Sequence, residues 1–205
     1  GSGLGSQWMY SEEIELNNDD FYQFKLTKTG YEYNFYLNDD FIGSGSGSSN
    51  IPYVDANLLF GDGWENFHGL IDEIKIWDTL VNDISNSSFD SNLIGYWNFN
   101  EGEGTILTDL SNNDNNGTIN GATWSDDAPP VTQQPSPNYS LSFDGQDDQL
   151  DIPMTNAKSM AFWVNVSSSN VSDNGDSYIL DARPGLVNSW LEPYGTIGSG
   201  WNKIY

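Results

Sequence analysis

The chain contains no cysteine, which excludes disulfides, thiolate metal sites and a cysteine nucleophile. It is also poor in cations, with 6 Lys and Arg against 30 Asp and Glu and a net charge of −24. So few bases argue against a nucleic-acid partner, because phosphate-backbone binding depends on Lys and Arg. Anionic membrane surfaces are disfavoured for the same reason, and the balance suits salty, calcium-containing water in which repulsion is screened. A single histidine, His68, has no serine or cysteine nucleophile context around it. No apolar run approaches membrane-spanning length, so no membrane insertion is expected. No signal peptide is visible. The closing "GSGWNKIY" reads as a strand in progress, and the expectation is a fragment of a longer protein.

What the 205 residues do contain is apolar and aromatic material, at 37% and 14%. Flat rings suit the half-buried surfaces of sheets. Nearly every periodic segment has period two. Tyr22, Phe24 and Leu26 alternate with Gln23, Lys25 and Thr27, and Tyr33, Phe35 and Leu37 with Glu32, Asn34 and Tyr36. Tyr139, Leu141 and Phe143 form another row, as do Met160, Phe162, Val164 and Val166. Turn-rich strings such as "KTGYE", "LNDDF", "SNNDNNG" and "FDGQDD" separate them. The one helical piece expected is a turn at "TLVNDIS" after Trp77. This pattern predicts an all-β class with many strands at short spacing, hence a sandwich or barrel. "GSGSGSSN" (43–50) reads as a flexible loop, and "APPVTQQPSP" (128–137) as a linker or long surface loop.

Within "FHGLIDEIKIWDTLVNDI" (67–84), strict alternation puts Leu70, Asp72, Ile74 and Ile76 on one buried face, with Ile71, Glu73, Lys75 and Trp77 on the other. A lone buried carboxylate is costly without donors or a metal. With Lys75 assigned to the opposite face, Asp72 is left with backbone N–H groups or a divalent cation.

This same string resembles the last strand and following turn of laminin G-like, concanavalin A-like jelly-roll domains. "LIGYWNFNEGEGTILTDLSNNDNNGTINGATW" (93–124) resembles the opening of such domains in bacterial exported proteins. "YSLSFDGQDDQLDIP" and "SMAFWVNV" resemble the next strands. "FYQFKLTKTGYEYNFYLNDDFIGSG" resembles the central hairpin, with Asp39 where the family usually has glycine. The order implies that residues 1–90 are the C-terminal half of one repeat and 91–205 the N-terminal half of the next. The two halves are expected to complete a single jelly-roll unit, either within the chain as a circularly permuted sandwich or between chains as a swapped homodimer.

The resemblance also implies a structural calcium where first and last strands meet, with Asp72, Asn98, Glu101 and Asp109 as its oxygen donors. Asn and Asp in such turns also cap their own backbone, and that reading is preferred for the run around Asn113 and Asp114 and for Asp144, Asp147 and Asp148. Laminarinase-type enzymes of this sandwich carry E-x-D-x-x-E on one strand. "SEEIELNNDD" and "IDEIKIWD" lack that spacing, so no enzymatic activity is expected. For a sugar, "GDGWENFHG" offers Trp64 as a stacking platform flanked by Asp62, Asn66 and His68. A loop tryptophan is more often a plug over the core rim than a ligand platform. Trp77, Trp97 and Trp163 read as structural. The function expected is a non-catalytic carbohydrate-binding or adhesion module of a larger exported protein, extracellular or at the cell surface, with a glycan as partner. The alternative is a ligand-free spacer repeat, and a glycoside hydrolase comes third.

Overall fold

The computed structural model describes residues 16–17, 20–30, 32–46, 57–61, 67–82, 84, 91–130, 137–153, 157–167, 179–181, 190–191, 193–194 and 203–204. They form sixteen strands. These are β1 (Tyr22–Thr29), β2 (Glu32–Leu37), β3 (Asp40–Ser46), β4 (Leu58–Phe60), β5 (His68–Trp77), β6 (Leu93–Trp97), β7 (Ile106–Leu107), β8 (Gly117–Asn120), β9 (Thr123–Ser125), β10 (Ser140–Asp144), β11 (Gln149–Ile152), β12 (Ser159–Val166), β13 (Leu180–Asp181), β14 (Trp190–Leu191), β15 (Pro193–Tyr194) and β16 (Lys203–Ile204). An eight-stranded sheet runs β3-β2-β1-β12-β5-β10-β9 with β6 also on β5, a six-stranded sheet runs β14-β13-β4-β11-β8-β7, and β15 pairs β16. The pairings are antiparallel throughout. Strands of residues 1–90 and of residues 91–205 are hydrogen-bonded to each other in both large sheets, as in β1–β12, β5–β10 and β4–β11.

The two large sheets close on one apolar core. It takes Phe24, Phe35, Ile71, Ile74, Phe143 and Phe162 from the first sheet and Phe60, Ile119, Leu150 and Ile152 from the second. Phe60 meets Phe162 edge-on across the interface, with ring centroids 5.4 Å apart, a favoured aromatic geometry.

β5 departs from strict alternation. Opposite β12, Lys75 pairs Ala161 but Asp72 pairs Trp163, so β5 carries one extra residue between them. The bulge is centred on Glu73, whose φ of 54° is left-handed. A non-glycine residue there costs about 1–2 kcal/mol. The bulge shifts the register of faces. Ile71, Ile74 and Ile76 all enter the core, while Asp72 and Lys75 share the outer face. The expected grouping of Asp72 with Ile74 and Ile76, and of Lys75 opposite Asp72, is therefore corrected: one inserted residue flips every side chain beyond it. The bulge also divides the far edge of β5, which pairs β10 at His68–Ile71 and β6 at Ile74–Trp77.

The helical turn expected after Trp77 does not form among the described residues. The Val81 N–H is donated to Ser159 Oγ at 3.0 Å and the Asn82 carbonyl accepts from Lys25 Nζ at 3.0 Å. Neighbouring strands thus take the backbone groups that a helix would have paired. Val81 and Ile84 instead join Trp77, Leu93 and Ala161 in a second apolar cluster on the outer face.

Candidate functional site

Cross-strand register orders the outer face of the first sheet into rows. One row reads Tyr36, Lys25, Ala161, Lys75, Tyr96 across β2, β1, β12, β5 and β6. Lys25 Nζ lies 4.5 Å from the Tyr36 ring centre and Lys75 Nζ 4.9 Å from that of Tyr96, both within cation–π range. Each lysine also holds a carboxylate, Lys25 with Asp39 at 2.9 Å and Lys75 with Glu73 at 2.9 Å. The next row reads Gln23, Trp163, Asp72.

Asp72 is fully buried. Its Oδ1 accepts from the Glu73 N–H at 2.7 Å, and its Oδ2 has no hydrogen-bond partner. Burial pushes its pKa up to about 8, with the Glu73 charge adding to the rise. The Glu73 N–H, the Lys75 ammonium and the Asn138 side chain pull the other way. Asn138 Nδ2 is given to the Pro129 carbonyl at 3.1 Å, while Asn138 Oδ1 is buried without a donor. Glu73 is engaged on both oxygens, by the Tyr96 hydroxyl at 3.0 Å and by Lys75. The Tyr96 phenol is held well above its ordinary pKa, first by burial and then by the Glu73 charge.

Asp72, Glu101 and Asp109 are not among the carboxylates of the described residues that lie close enough together to share a metal. Asp109 Oδ1 accepts from the N–H groups of Tyr96 and Ser111, and its Oδ2 from Ser111 Oγ and the Asn115 N–H, at 2.9–3.0 Å. Its carboxylate is saturated by the chain itself. Glu101 Oε1 accepts from the Thr108 N–H at 2.8 Å, and Asn98 Oδ1 from the Asn100 N–H at 3.3 Å. Of the four expected calcium donors, Asp72 Oδ2 and Glu101 Oε2 are buried oxygens without a hydrogen-bond partner. Among the described residues one carboxylate group lies close enough to share a metal: Asp144, Asp147 and Asp148, with ligand atoms within 4.8 Å of one another. There the Asp144 N–H is donated to Asp148 Oδ2 at 2.6 Å and the Gln146 N–H to Asp144 Oδ1 at 2.9 Å, as in a capped hairpin turn. Burial raises the pKa of Asp148, as do the charges of Asp144 and Asp147.

Of the expected sugar contacts, Trp64, Asp62 and Asn66 lie outside the described residues. His68 opens β5 opposite Asp144 and is half-buried. The aromatic groove that the structure describes is elsewhere, on the outer face beside Asp72. A cavity of about 600 Å³ is lined by Asp20, Phe21, Tyr22, Gln23, Asn38, Asp39, Pro130 and Trp163. A second, of about 430 Å³, is lined by Lys25, Tyr36, Asp39, Val81 and Asn82. Asp39 borders both. Trp163, read from alternation as structural, is half-buried and lines the larger cavity, whereas Trp77 and Trp97 are fully buried as expected.

The turn between β2 and β3 builds this groove. Asn38 and Asp39 have φ of 49° and 67°, the two left-handed residues of a tight hairpin. The Asn38 N–H is donated to the Gln23 carbonyl and the Gln23 N–H to Asn38 Oδ1, both at 2.8 Å. That clamp fixes the turn beside β1 and brings the Asp39 carboxylate to Lys25. Alternation alone placed Gln23 and Lys25 opposite Phe24, and Trp163 opposite Phe162 and Val164. It could not say that β1 and β12 are neighbours, so the groove was not legible in the sequence.

No protein-family model, no curated protein and no solved structure matches the chain. The fold stands as two antiparallel sheets packed as a β-sandwich. No described helix is long and apolar enough to cross a membrane.

Proposed function

We propose that the chain is a non-catalytic carbohydrate-binding or adhesion module of a larger exported protein, acting outside the cell or at its surface on a glycan. The proposed frame is a concanavalin A-like jelly roll made from the half-repeats 1–90 and 91–205. Pairing of strands from both halves within one chain favours the permuted monomer over a swapped dimer. The observation that carries the functional reading is the 600 Å³ groove, where half-buried Trp163 stands among Asp20, Gln23, Asn38 and Asp39. An aromatic face for the apolar side of a pyranose, ringed by carboxylates and amides for its hydroxyls, is the usual plan of a small-molecule site. The non-catalytic part rests on access: Asp72, the carboxyl with the raised pKa, lines neither cavity.

A glycan array, run with and without calcium, tests the reading. Binding that falls tenfold or more in Trp163→Ala, with the fold retained by circular dichroism, supports it. No binding to any glycan favours the spacer reading. Hydrolysis of a polysaccharide that is lost in Asp72→Asn overturns the non-catalytic one. An accessory calcium belongs to the same proposal, with Asp144, Asp147 and Asp148 as the carboxylates able to share it. A melting temperature that rises with calcium and falls with chelator supports the ion, and an unmoved melting curve removes it.

A further inference from the structure

Resting on the groove as a glycan site, we infer that it selects sugars carrying a free amino group and rejects uronic, sialylated and sulfated glycans. Among the described residues the groove wall holds two carboxylates, Asp20 and Asp39, and no basic residue. Lys25 approaches from the neighbouring cavity but is itself committed. Its ammonium is bonded to Asp39 Oδ1 at 2.9 Å and the Asn82 carbonyl at 3.0 Å, lies against the Tyr36 ring, and is 5% exposed. Asp39, in contrast, is 65% exposed. One lysine against two aspartates leaves the groove net negative, on a chain of net charge −24. An acidic sugar would meet this field with no cation to pair with, whereas an ammonium is drawn in by the carboxylates and by the faces of the aromatic residues.

Asp39 occupies a left-handed turn position, φ 67°, lines both cavities and bonds Lys25 through its Oδ1. Asp20 is set by the loop before β1, where Asn17 Nδ2 is donated to Asp20 Oδ2 at 3.0 Å.

The experiment is calorimetry with three hexasaccharides of one linkage: fully deacetylated glucosamine, N-acetylglucosamine, and a glucuronate-containing oligomer. The glucosamine oligomer is expected to bind tightest. Its affinity should fall as salt rises and again as pH rises through deprotonation of the sugar amine, while the glucuronate oligomer does not bind. Asp20→Asn should weaken the glucosamine oligomer about three- to fivefold more than it weakens the N-acetylglucosamine oligomer, so that the preference between them narrows. Because Asp39→Asn also unpairs a buried lysine, the double variant Lys25→Met/Asp39→Asn is the second probe, and it too should lose the preference. Equal affinity for the amino and N-acetyl oligomers, with both abolished by Trp163→Ala, overturns the charge selection and keeps the glycan site. Binding of the glucuronate oligomer overturns the selection outright. Binding that survives Trp163→Ala overturns the groove itself.

Discussion

Two buried aspartates, Asp109 and Asp72, solve the same problem in opposite ways. Asp109 is 8% exposed and Asp72 is 0% exposed. Asp109 sits in a loop where the N–H groups of Tyr96, in β6, and of Ser111 meet its Oδ1, and the Ser111 hydroxyl and the Asn115 N–H meet its Oδ2. Asp72 sits in a strand whose backbone is committed to β10, β12 and β6, and it receives one N–H, from the bulged residue beside it. The first carboxylate is hydrogen-bonded on both oxygens. The second has one oxygen without a partner, and its pKa is pushed up to about 8. Acidity and burial are common to both, so donor count is what separates them.

Four variants would break or sharpen this contrast. Asp109→Ala should be the most damaging, at about 3–4 kcal/mol by chemical denaturation, because it strands several loop donors at once. A loss under about 1 kcal/mol would mean that water replaces the carboxylate and the contrast fails. Lys75→Met should cost about 2–3 kcal/mol, since Glu73 would stay buried without its counter-charge and keep the Tyr96 hydroxyl alone. A loss under about 0.5 kcal/mol would mean that the Tyr96 hydroxyl alone compensates Glu73.

Asp72→Asn should act in the other direction and depend on pH. Between the ordinary carboxylate range and about pH 8, folded Asp72 holds a proton that the unfolded chain releases. Wild-type stability therefore falls as pH rises through that window, by up to about 1.4 kcal/mol per unit from this group. The asparagine variant lacks that contribution and should be the more stable protein at pH 7, on the order of 2 kcal/mol. Parallel stability–pH curves for the two proteins would show that Asp72 is ionised in the fold. The smallest effect is expected from Ser111→Ala, about 1 kcal/mol, since it removes one of four donors from Asp109. A loss near that of Asp109→Ala would mean that the hydroxyl organises the whole loop.

The all-β class was legible in the sequence because alternation reports which side of a strand is apolar. Phe24, Phe35, Phe143 and Phe162 all enter the core as the pattern requires. The carboxylate of Asp72 was noticed for the same reason, as a polar residue in an apolar register. Its surroundings were misread because a bulge at Glu73 leaves no mark in the alternation, and Lys75 was consequently assigned to the wrong face. Asp109 was singled out by its residue type in an Asx-rich run, but the donors that saturate it come from turn geometry. The helical turn after Trp77 failed because Ser159 and Lys25, distant in sequence, took the backbone groups of Val81 and Asn82.

By itself, the sequence determined the all-β class, the identity of most core aromatics and the acidic, cysteine-free chemistry of the chain. These follow from local alternation and composition, which need no knowledge of partners. Only the tertiary structure decided which strands are neighbours and where the register slips by one residue. Through those two facts it decided that Trp163 lies between Gln23 and Asp72, that Asp39 meets Lys25, and that Asp72 faces Asn138. Pairing partners are set by hydrogen bonds and core packing between segments far apart in the chain, so no window of sequence contains them.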